Sequence, residues 1–223
     1  MGFWPSLAVT LVAALGIRQF LVEARYIPSG SMLPVLQLQD RLLVEKLSYR
    51  ARPPRRGEVV VFRAPHAFDP ALKSDYGPDP LRCFVVNLPF VGILPGMQEP
   101  ACEAFIKRVV AIPGDRVDID PSGHLKVNGK AVNESYVANY CDTSDGKGCP
   151  PLRTVVPPKS VLVLGDNRQN SWDGRYWPGT HFLPTNQIIG RATVRFWRDC
   201  GKPIWQFWWW VIPPTGCNRF SAL

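Results

Sequence analysis

The sequence predicts a mainly β protein that begins with one apolar helix. Short runs rich in Val, Ile, Leu and Phe recur through the chain, and Gly, Pro, Asn or Asp bounds most of them, as is typical of strands. The 23 prolines interrupt the apolar stretches, which disfavours long helices in the body of the chain. With 223 residues, 46% hydrophobic and 20% charged, the chain is long enough for one large or two modest cores.

The N-terminal apolar segment is the predicted helix. Phe3 to Ile17 contains no charged residue, and the apolar character resumes after Arg18. A single helix from Phe3 to Val22 would span about 30 Å, the thickness of a bilayer core. A cleaved signal peptide is the alternative, because Val22-Glu23-Ala24 fits the cleavage pattern, but no basic residue precedes the apolar run. We expect residues 1–22 to form one transmembrane anchor.

The body of the chain contains seven predicted strands. They are Arg41 to Leu47, Glu58 to Phe62, Phe105 to Ile112, Arg116 to Ile119, His124 to Val127, Val161 to Leu164 and Ile188 to Trp197. Asn128-Gly129 lies between two short alternating runs and is typical of a tight β-hairpin. We expect a β core over residues 23–116 and 159–199, with residues 117–158 inserted as a smaller hairpin or cap region.

Two long connections interrupt this core, and both carry cysteines. They are residues 64–104 and 136–158, and loops of this length are seldom structureless inside a compact domain. The six cysteines show no CxxC or Cys/His spacing, so we expect no metal site. Their even number favours disulfides in an oxidising compartment over free cytosolic thiols. Pairing by proximity in sequence would join Cys83 with Cys102, Cys141 with Cys149, and Cys200 with Cys217.

Two further features suggest partners without deciding between them. The net charge is +8, and its densest cluster is Arg50, Arg52, Arg55 and Arg56. Such a cluster suits anionic lipid, nucleic acid or an acidic substrate, and it also suits an ordinary solvated surface. In the C-terminal tail, residues 200–223, the short run from Trp205 to Ile212 holds four tryptophans. That run fits a buried strand or helix, or a contact with the membrane interface.

The residues that are absent narrow the chemistry. His66, His124 and His181 form no HExxH pair and lie beside no evident nucleophile, so a Ser/His/Asp triad and a zinc hydrolase are both poorly supported. The chain contains no P-loop and no GxGxxG motif. We therefore expect no cofactor.

Three segments carry residues suited to catalysis. In Pro28-Ser29-Gly30-Ser31-Met32, a tight turn could present a hydroxyl and a backbone N–H together. Lys107 and Arg108 lie inside the apolar run Phe105 to Ile112, where burial would bring the pKa of Lys107 down from about 10.4 towards that of a general base. The third segment, residues 165–175, is a polar turn that can orient a buried amine. Each segment alone also fits a purely structural loop or strand.

Together and in this order, the three segments resemble the sequence boxes of bacterial type I signal peptidases, also called leader peptidases, which use a Ser/Lys dyad. The similarity extends over PSGSM, RGEVVVF, FIKRVVAIPGD, GDNRQNSWDGR and IIGRATVRFW, which lie between Ile27 and Trp197. The resemblance implies a β-barrel or β-sandwich catalytic core. It also implies an endopeptidase that removes N-terminal signal peptides from exported preproteins after a small-x-small site.

The resemblance further implies roles for individual residues. Ser31 would be the nucleophile and Lys107 the general base. Ser29 would place a hydroxyl in the oxyanion hole, and Ser171 would hydrogen-bond the lysine. Charged residues would brace the site, and apolar residues would line the substrate pockets. The bracing residues are Arg108, Asp166, Asp173 and Arg175, and the pocket residues are Ile27, Met32, Leu36, Phe105 and Ile106.

The sequence departs from the family pattern at two positions. Val35 stands where threonine is usual and Gly174 where serine is frequent, and neither change removes a proposed catalytic group. A Ser/Lys peptidase with a narrower substrate range and an inert membrane-attached scaffold remain as alternatives. We expect a monomer in the plasma membrane with its catalytic part on the extracytoplasmic side. Its expected partners are preproteins and membrane lipid, and no nucleic acid.

Overall fold

The computed structural model of this chain describes residues 2–27, 29–38, 40–63, 104–146, 148–197, 205–207, 210–212 and 221–223. Its helices are α1 (Phe3–Phe20) and α2 (Ser48–Ala51), with 3₁₀ turns at Gly30–Met32 and Thr185–Gln187. Its strands are β1 (Val22–Tyr26), β2 (Arg41–Glu45), β3 (Val59–Arg63), β4 (Ala104–Ala111), β5 (Arg116–Ile119), β6 (Leu125–Val127), β7 (Lys130–Ala131), β8 (Leu152–Val155), β9 (Ser160–Leu164), β10 (Leu183–Pro184), β11 (Ile188–Trp197), β12 (Trp205–Phe207), β13 (Trp210–Ile212) and β14 (Ser221–Ala222). The mainly β class is confirmed.

The N-terminal helix is shorter than predicted. It ends at Phe20, and Val22 already pairs with Glu45 as the first residue of β1, so the predicted helix was two residues too long. Among the helices of the described residues, none has the length and apolar character needed to cross a membrane. The transmembrane anchor over residues 1–22 stays a prediction.

One large antiparallel sheet carries most of the core. Its strand order is β1-β2-β11-β3-β4-β9-β10, and β14 pairs with β11. Register shifts of β11 against β2 and β3 mark bulges, which bend and twist a sheet. In β3, the residues Val59 to Phe62 are all buried, so this strand is packed on both faces. The curled sheet thus encloses apolar side chains on the side where the 3₁₀ turn Gly30–Met32 lies.

A second, four-stranded sheet lies between β4 and β9 in the chain. Its order is β7-β6-β5-β8, and its buried residues pack with Leu162 and Leu164 of β9 in one apolar cluster. The hairpin between β6 and β7 turns at Asn128 and Gly129, both with positive φ, which confirms the hairpin prediction. The division of the chain into core and inserted cap stays a prediction, although these strands do form a separate sheet.

The disulfide predictions have different outcomes. Cys141 and Cys149 are joined by a disulfide, as sequence proximity suggested. The other two predicted pairs, Cys83 with Cys102 and Cys200 with Cys217, lie outside the described residues. So does nearly all of the long connection over residues 64–104.

Candidate active site

The turn that carries Ser31 is held by a polar loop from the other end of the sheet. We call residues 165–175 the polar loop. The backbone N–H of Asn167 donates to the carbonyl of Ser31 over 3.0 Å, and its side-chain amide donates to the carbonyl of Gly30 over 3.2 Å. Ser31 is 7% exposed in the 3₁₀ turn. The turn is therefore fixed by long-range hydrogen bonds and does not depend on its own short helix for order.

Lys107 meets Ser31 from the middle of β4. Its Nζ donates to Oγ of Ser31 over 2.8 Å, across 76 residues of sequence. Lys107 is 4% exposed, and this burial lowers its pKa from 10.5 to about 8, against the opposing effect of the Asp173 and Asp166 charges. About one molecule in ten thus carries the neutral amine at pH 7. Once neutral, the nitrogen offers a lone pair to the serine proton.

Ser29 lies on the open side of the same turn. It is exposed, and its Oγ is 3.4 Å from Oγ of Ser31. The turn Gly30–Met32 begins directly after Ser29, and the first N–H groups of a helical turn have no partner within that turn. A hydroxyl and a backbone N–H can therefore converge on one point beside the Ser31 oxygen.

Ser171 is buried in the polar loop close to the Ser31 turn. A Cβ added to Gly165 would lie 2.2 Å from Oγ of Ser171 and 2.5 Å from the carbonyl oxygen of Ser31, so only glycine allows this approach. The Ser171 hydroxyl has no hydrogen-bond partner among the described residues. It lies near enough to Asp173 to help lower the pKa of that carboxyl. The predicted hydrogen bond from Ser171 to Lys107 is not formed here.

The first ion pair beside the site joins Arg108 to Asp166. The guanidinium donates to both carboxylate oxygens over 2.8 and 2.7 Å, and also to the carbonyl of Gly57 over 2.7 Å. Its other face covers the ring of Tyr136, 4.2 Å from the ring centroid. Burial raises the pKa of Asp166 despite the guanidinium beside it. The pair anchors β4 to the start of the polar loop.

The second ion pair joins Asp173 to Arg175, and both side chains are fully buried. Nε and Nη2 of Arg175 donate to the two carboxylate oxygens over 2.9 and 2.8 Å, and the N–H of Gly165 donates to Asp173 over 2.9 Å. Burial alone would raise the pKa of Asp173, but the hydrogen bond and charge of Arg175 hold it below its usual value. This pair closes the polar loop on itself.

Sequence reasoning missed a third buried pair, between Arg168 and Glu134. The Arg168 guanidinium is completely buried, donates to Glu134 through two nitrogens, and reaches the carbonyls of Gly165 and Gly123 over 3.1 and 2.6 Å. The arginine was visible inside the polar segment, but its partner is 34 residues away in a region with no distinctive pattern. Long-range packing alone brings the two together.

Four of the five predicted pocket residues share one apolar cluster. Ile27, Met32, Leu36 and Ile106 pack together and are between 0% and 6% exposed. Phe105 packs in a different cluster, against Phe62 at a ring separation of 6.1 Å. Met32 of the Ser31 turn thus packs with the other three residues, whereas Phe105 does not join them.

The described residues contain no group of three His, Cys, Asp or Glu side chains arranged to hold a metal ion. The acids near Lys107 are each engaged by an arginine instead. What the site offers is a hydroxyl in contact with a desolvated amine, with polar N–H and O–H donors beside it. That arrangement is suited to acyl transfer with a lysine as the base.

Comparison with known proteins shows the family of this chain. The family model described as "Signal peptidase, peptidase S26" matches residues 1–197. The chain belongs to this family. The enzyme is 42% identical to signal peptidase I of Leptolyngbya laminosa, covering 86% of this chain and 77% of that one. It is also 42% identical to the probable signal peptidase I-2 of a Synechocystis species, over 87% and 73% of the two chains.

The similarity extends to a relative with lower sequence identity. Signal peptidase I of Bacillus caldolyticus is 33% identical, over 87% of this chain and 89% of that one. The resemblance drawn from the sequence boxes is confirmed at the level of the family. The enzyme is a peptidase that removes signal peptides from preproteins.

Proposed function

We propose that this enzyme cleaves preproteins with a catalytic dyad of Ser31 and Lys107. The observation that carries the proposal is the 2.8 Å contact between Nζ of Lys107 and Oγ of Ser31 in a buried site. Neutral Lys107 accepts the serine proton as Oγ attacks the scissile carbonyl carbon. The resulting oxyanion accepts hydrogen bonds from the Ser31 N–H and the Ser29 hydroxyl.

In the remaining steps, Lys107 passes the serine proton to the leaving amine and the acyl-enzyme is hydrolysed. Collapse of the tetrahedral intermediate breaks the C–N bond, and protonated Lys107 gives its proton to the leaving amine, which leaves an acyl ester on Ser31. Water then attacks the ester while Lys107 takes a proton from it. The second collapse releases the new carboxylate, and Ser31 regains its hydrogen.

The buried groups around the dyad have supporting roles in this proposal. Ser171 orients the amine when substrate is bound, since its hydroxyl is buried beside the Ser31 turn. Arg108 with Asp166, and Asp173 with Arg175, fix the polar loop against β4.

Specificity follows from the apolar cluster beside Ser31. We assign the shallow pockets for small substrate side chains to Ile27, Met32, Leu36 and Ile106. Phe105 adjoins Ile106 in the sequence but packs in a different cluster. Strand β1 lies at one edge of the described sheet and leads directly into the Ser31 turn. An extended preprotein segment would pair with this edge, gaining main-chain hydrogen bonds while the pockets select small side chains.

The proposal places the enzyme at a membrane with its catalytic part in an oxidising, extracytoplasmic compartment. Helix α1 presents large apolar side chains to solvent: Phe3, Trp4 and Val12 are 74%, 75% and 71% exposed. Exposed apolar surface of this extent marks a contact with lipid or protein. The Cys141–Cys149 disulfide agrees with an oxidising compartment.

The test is cleavage of a preprotein with a small-x-small site by the full chain in detergent near pH 8. Ser31→Ala and Lys107→Ala should both fold and lose cleavage, while Lys126→Ala, an exposed lysine in β6, should keep it. Replacing the small residue before the cut with phenylalanine should block cleavage. Activity that survives in Ser31→Ala or Lys107→Ala would remove the dyad, and cleavage of one preprotein only would favour a specialised maturation peptidase.

A further inference from the structure

A buried disulfide lies directly behind the polar loop. Cys141 and Cys149 are 7% and 4% exposed, and their sulfurs lie 3.6 and 3.5 Å from the carbonyl oxygen of Arg168. Nη1 of Arg175 lies 3.4 Å from Sγ of Cys141. The cystine therefore contacts two residues of the polar loop at once.

Arg175 is connected to the Ser31 turn through Asp173 and Gly165. Nη2 of Arg175 donates to the carbonyl of Arg168 over 2.8 Å and to Asp173 over the same distance. Asp173 accepts from the N–H of Gly165, the residue packed against the Ser31 turn. Displacing Arg175 would thus release the part of the loop that closes over the dyad.

The other side of the cystine is fixed to a turn of the small sheet. The N–H of Cys141 donates to the carbonyl of Ser122 over 2.9 Å, and that of Cys149 donates to Pro121 over 2.8 Å. The segment just before Cys141 also accepts from the loop, because the Asn139 carbonyl receives the N–H of Arg168 over 2.9 Å. The disulfide thereby ties the polar loop to the turn that follows β5.

We infer that the Cys141–Cys149 disulfide is a positioning element of the active site, which holds Arg175 and the polar loop in place so that Lys107 stays dry beside Ser31. The inference rests on the proposed Ser31–Lys107 dyad. The cystine touches neither substrate nor the reacting atoms. It acts through Arg175, and its loss should change the environment of the base before it changes substrate binding.

The expected signature is a shift in pH dependence. Burial is the largest influence on the Lys107 amine, and the charged groups that act on it are Asp173, Asp166 and Arg175. A loosened loop admits water, which moves the pKa of Lys107 up from about 8. Each rise of 1 in that pKa lowers the neutral fraction about tenfold below pH 8. We expect kcat to fall about tenfold at pH 7, KM to stay within about twofold, and the loss to shrink towards pH 10.

The test compares the intact enzyme with the double variant Cys141→Ser/Cys149→Ser, and uses Asp142→Ala as the control. Asp142 is exposed in the same segment, so its variant should keep the normal pH profile. A double variant with unchanged kcat and an unchanged midpoint of the pH–rate profile would overturn the inference. Equal loss at every pH, with the midpoint unmoved, would also overturn it, since that result indicates only a smaller folded fraction.

If the double variant fails to fold, a second measurement on the intact enzyme tests the inference. Dithiothreitol gives the cystine two electrons and two protons, producing two thiols, and becomes a cyclic disulfide. Alkylation and peptide mass spectrometry at each step report how much of the 141–149 bond is open. Activity at pH 7 should fall in proportion to that opening and return on reoxidation, and a loss that follows other cysteines instead would contradict the inference. Inactive Ser31→Ala and Lys107→Ala variants show separately that the dyad itself holds.

Discussion

Replacing Lys107 with methionine removes the buried amine and keeps an unbranched side chain that fits the same space. In the intact enzyme, burial lowers the pKa of Lys107 from 10.5 to about 8. At pH 7 about one molecule in ten then carries the neutral base, against about one in three thousand for an unperturbed lysine. The fold therefore raises the supply of active base by about 300-fold at pH 7.

The same shift has a consequence for stability, with a definite sign. Below pH 8 the amine is charged in both the folded and the unfolded chain, and the folded chain bears the full cost of burying the charge. Between pH 8 and 10.5 the folded chain has released a proton that the unfolded chain still holds, so the free energy of unfolding rises with pH. At 1.36 kcal/mol for each pKa unit, the rise amounts to about 3 kcal/mol.

Two assays on the same protein check this reasoning. The rate constant kcat/KM for a small-x-small preprotein should rise with unit slope below pH 8 and level off above it. Urea denaturation from pH 7 to 10.5 should show a rise in stability that Lys107→Met lacks, while the variant is inactive at every pH. An activity profile that is flat from pH 6 to 9, or one with its midpoint near 10.5, would refute a desolvated lysine base.

Three further substitutions test the surroundings of the dyad. Ser29→Ala should lower kcat by about 10²- to 10³-fold with little change in KM, since the lost hydroxyl acts on the oxyanion alone; steady-state kinetics checks this. Gly165→Ala puts a methyl group 2.2 Å from the Ser171 oxygen. It should displace the loop and lower kcat by about 10²-fold while circular dichroism stays native. Asp173→Asn leaves the Arg175 charge buried and should lower the free energy of unfolding by about 3 to 5 kcal/mol at pH 7, as measured by urea denaturation.

The predicted strands were found because short runs rich in Val, Ile, Leu and Phe are bounded by Gly, Pro, Asn or Asp. All seven runs proposed from the sequence overlap strands of the structure, and both β5 and β11 have the predicted bounds. Four strands, β1, β8, β10 and β14, were missed, and the last two are only two residues long. Val22-Glu23-Ala24-Arg25-Tyr26 alternates in strand fashion, but the apolar run before it made the end of the helix invisible. The four residues of β8 follow Pro150-Pro151, which read as part of a loop.

The active site, like the fold, was predicted only in part from the sequence. Ser31 and Lys107 were identified through the family boxes, since nothing local to either residue predicts a 2.8 Å contact between them. The Cys141–Cys149 pair followed from proximity in sequence. The pairing of Arg168 with Glu134 depends on how the small sheet packs against the polar loop, and composition and spacing carry no information about that packing.

The pairing of the acids explains how a lysine can serve as a base in this setting. Asp173 and Asp166 each favour the charged form of Lys107, and two unpaired carboxylates so close to the amine would keep it protonated. Each is engaged by an arginine through two hydrogen bonds, and the charge of Arg175 at the amine opposes that of the two carboxylates. Burial then remains the largest influence on the amine. The buried ion pairs are costly to desolvate and add little net stability, but they let the polar loop be rigid without charging the base.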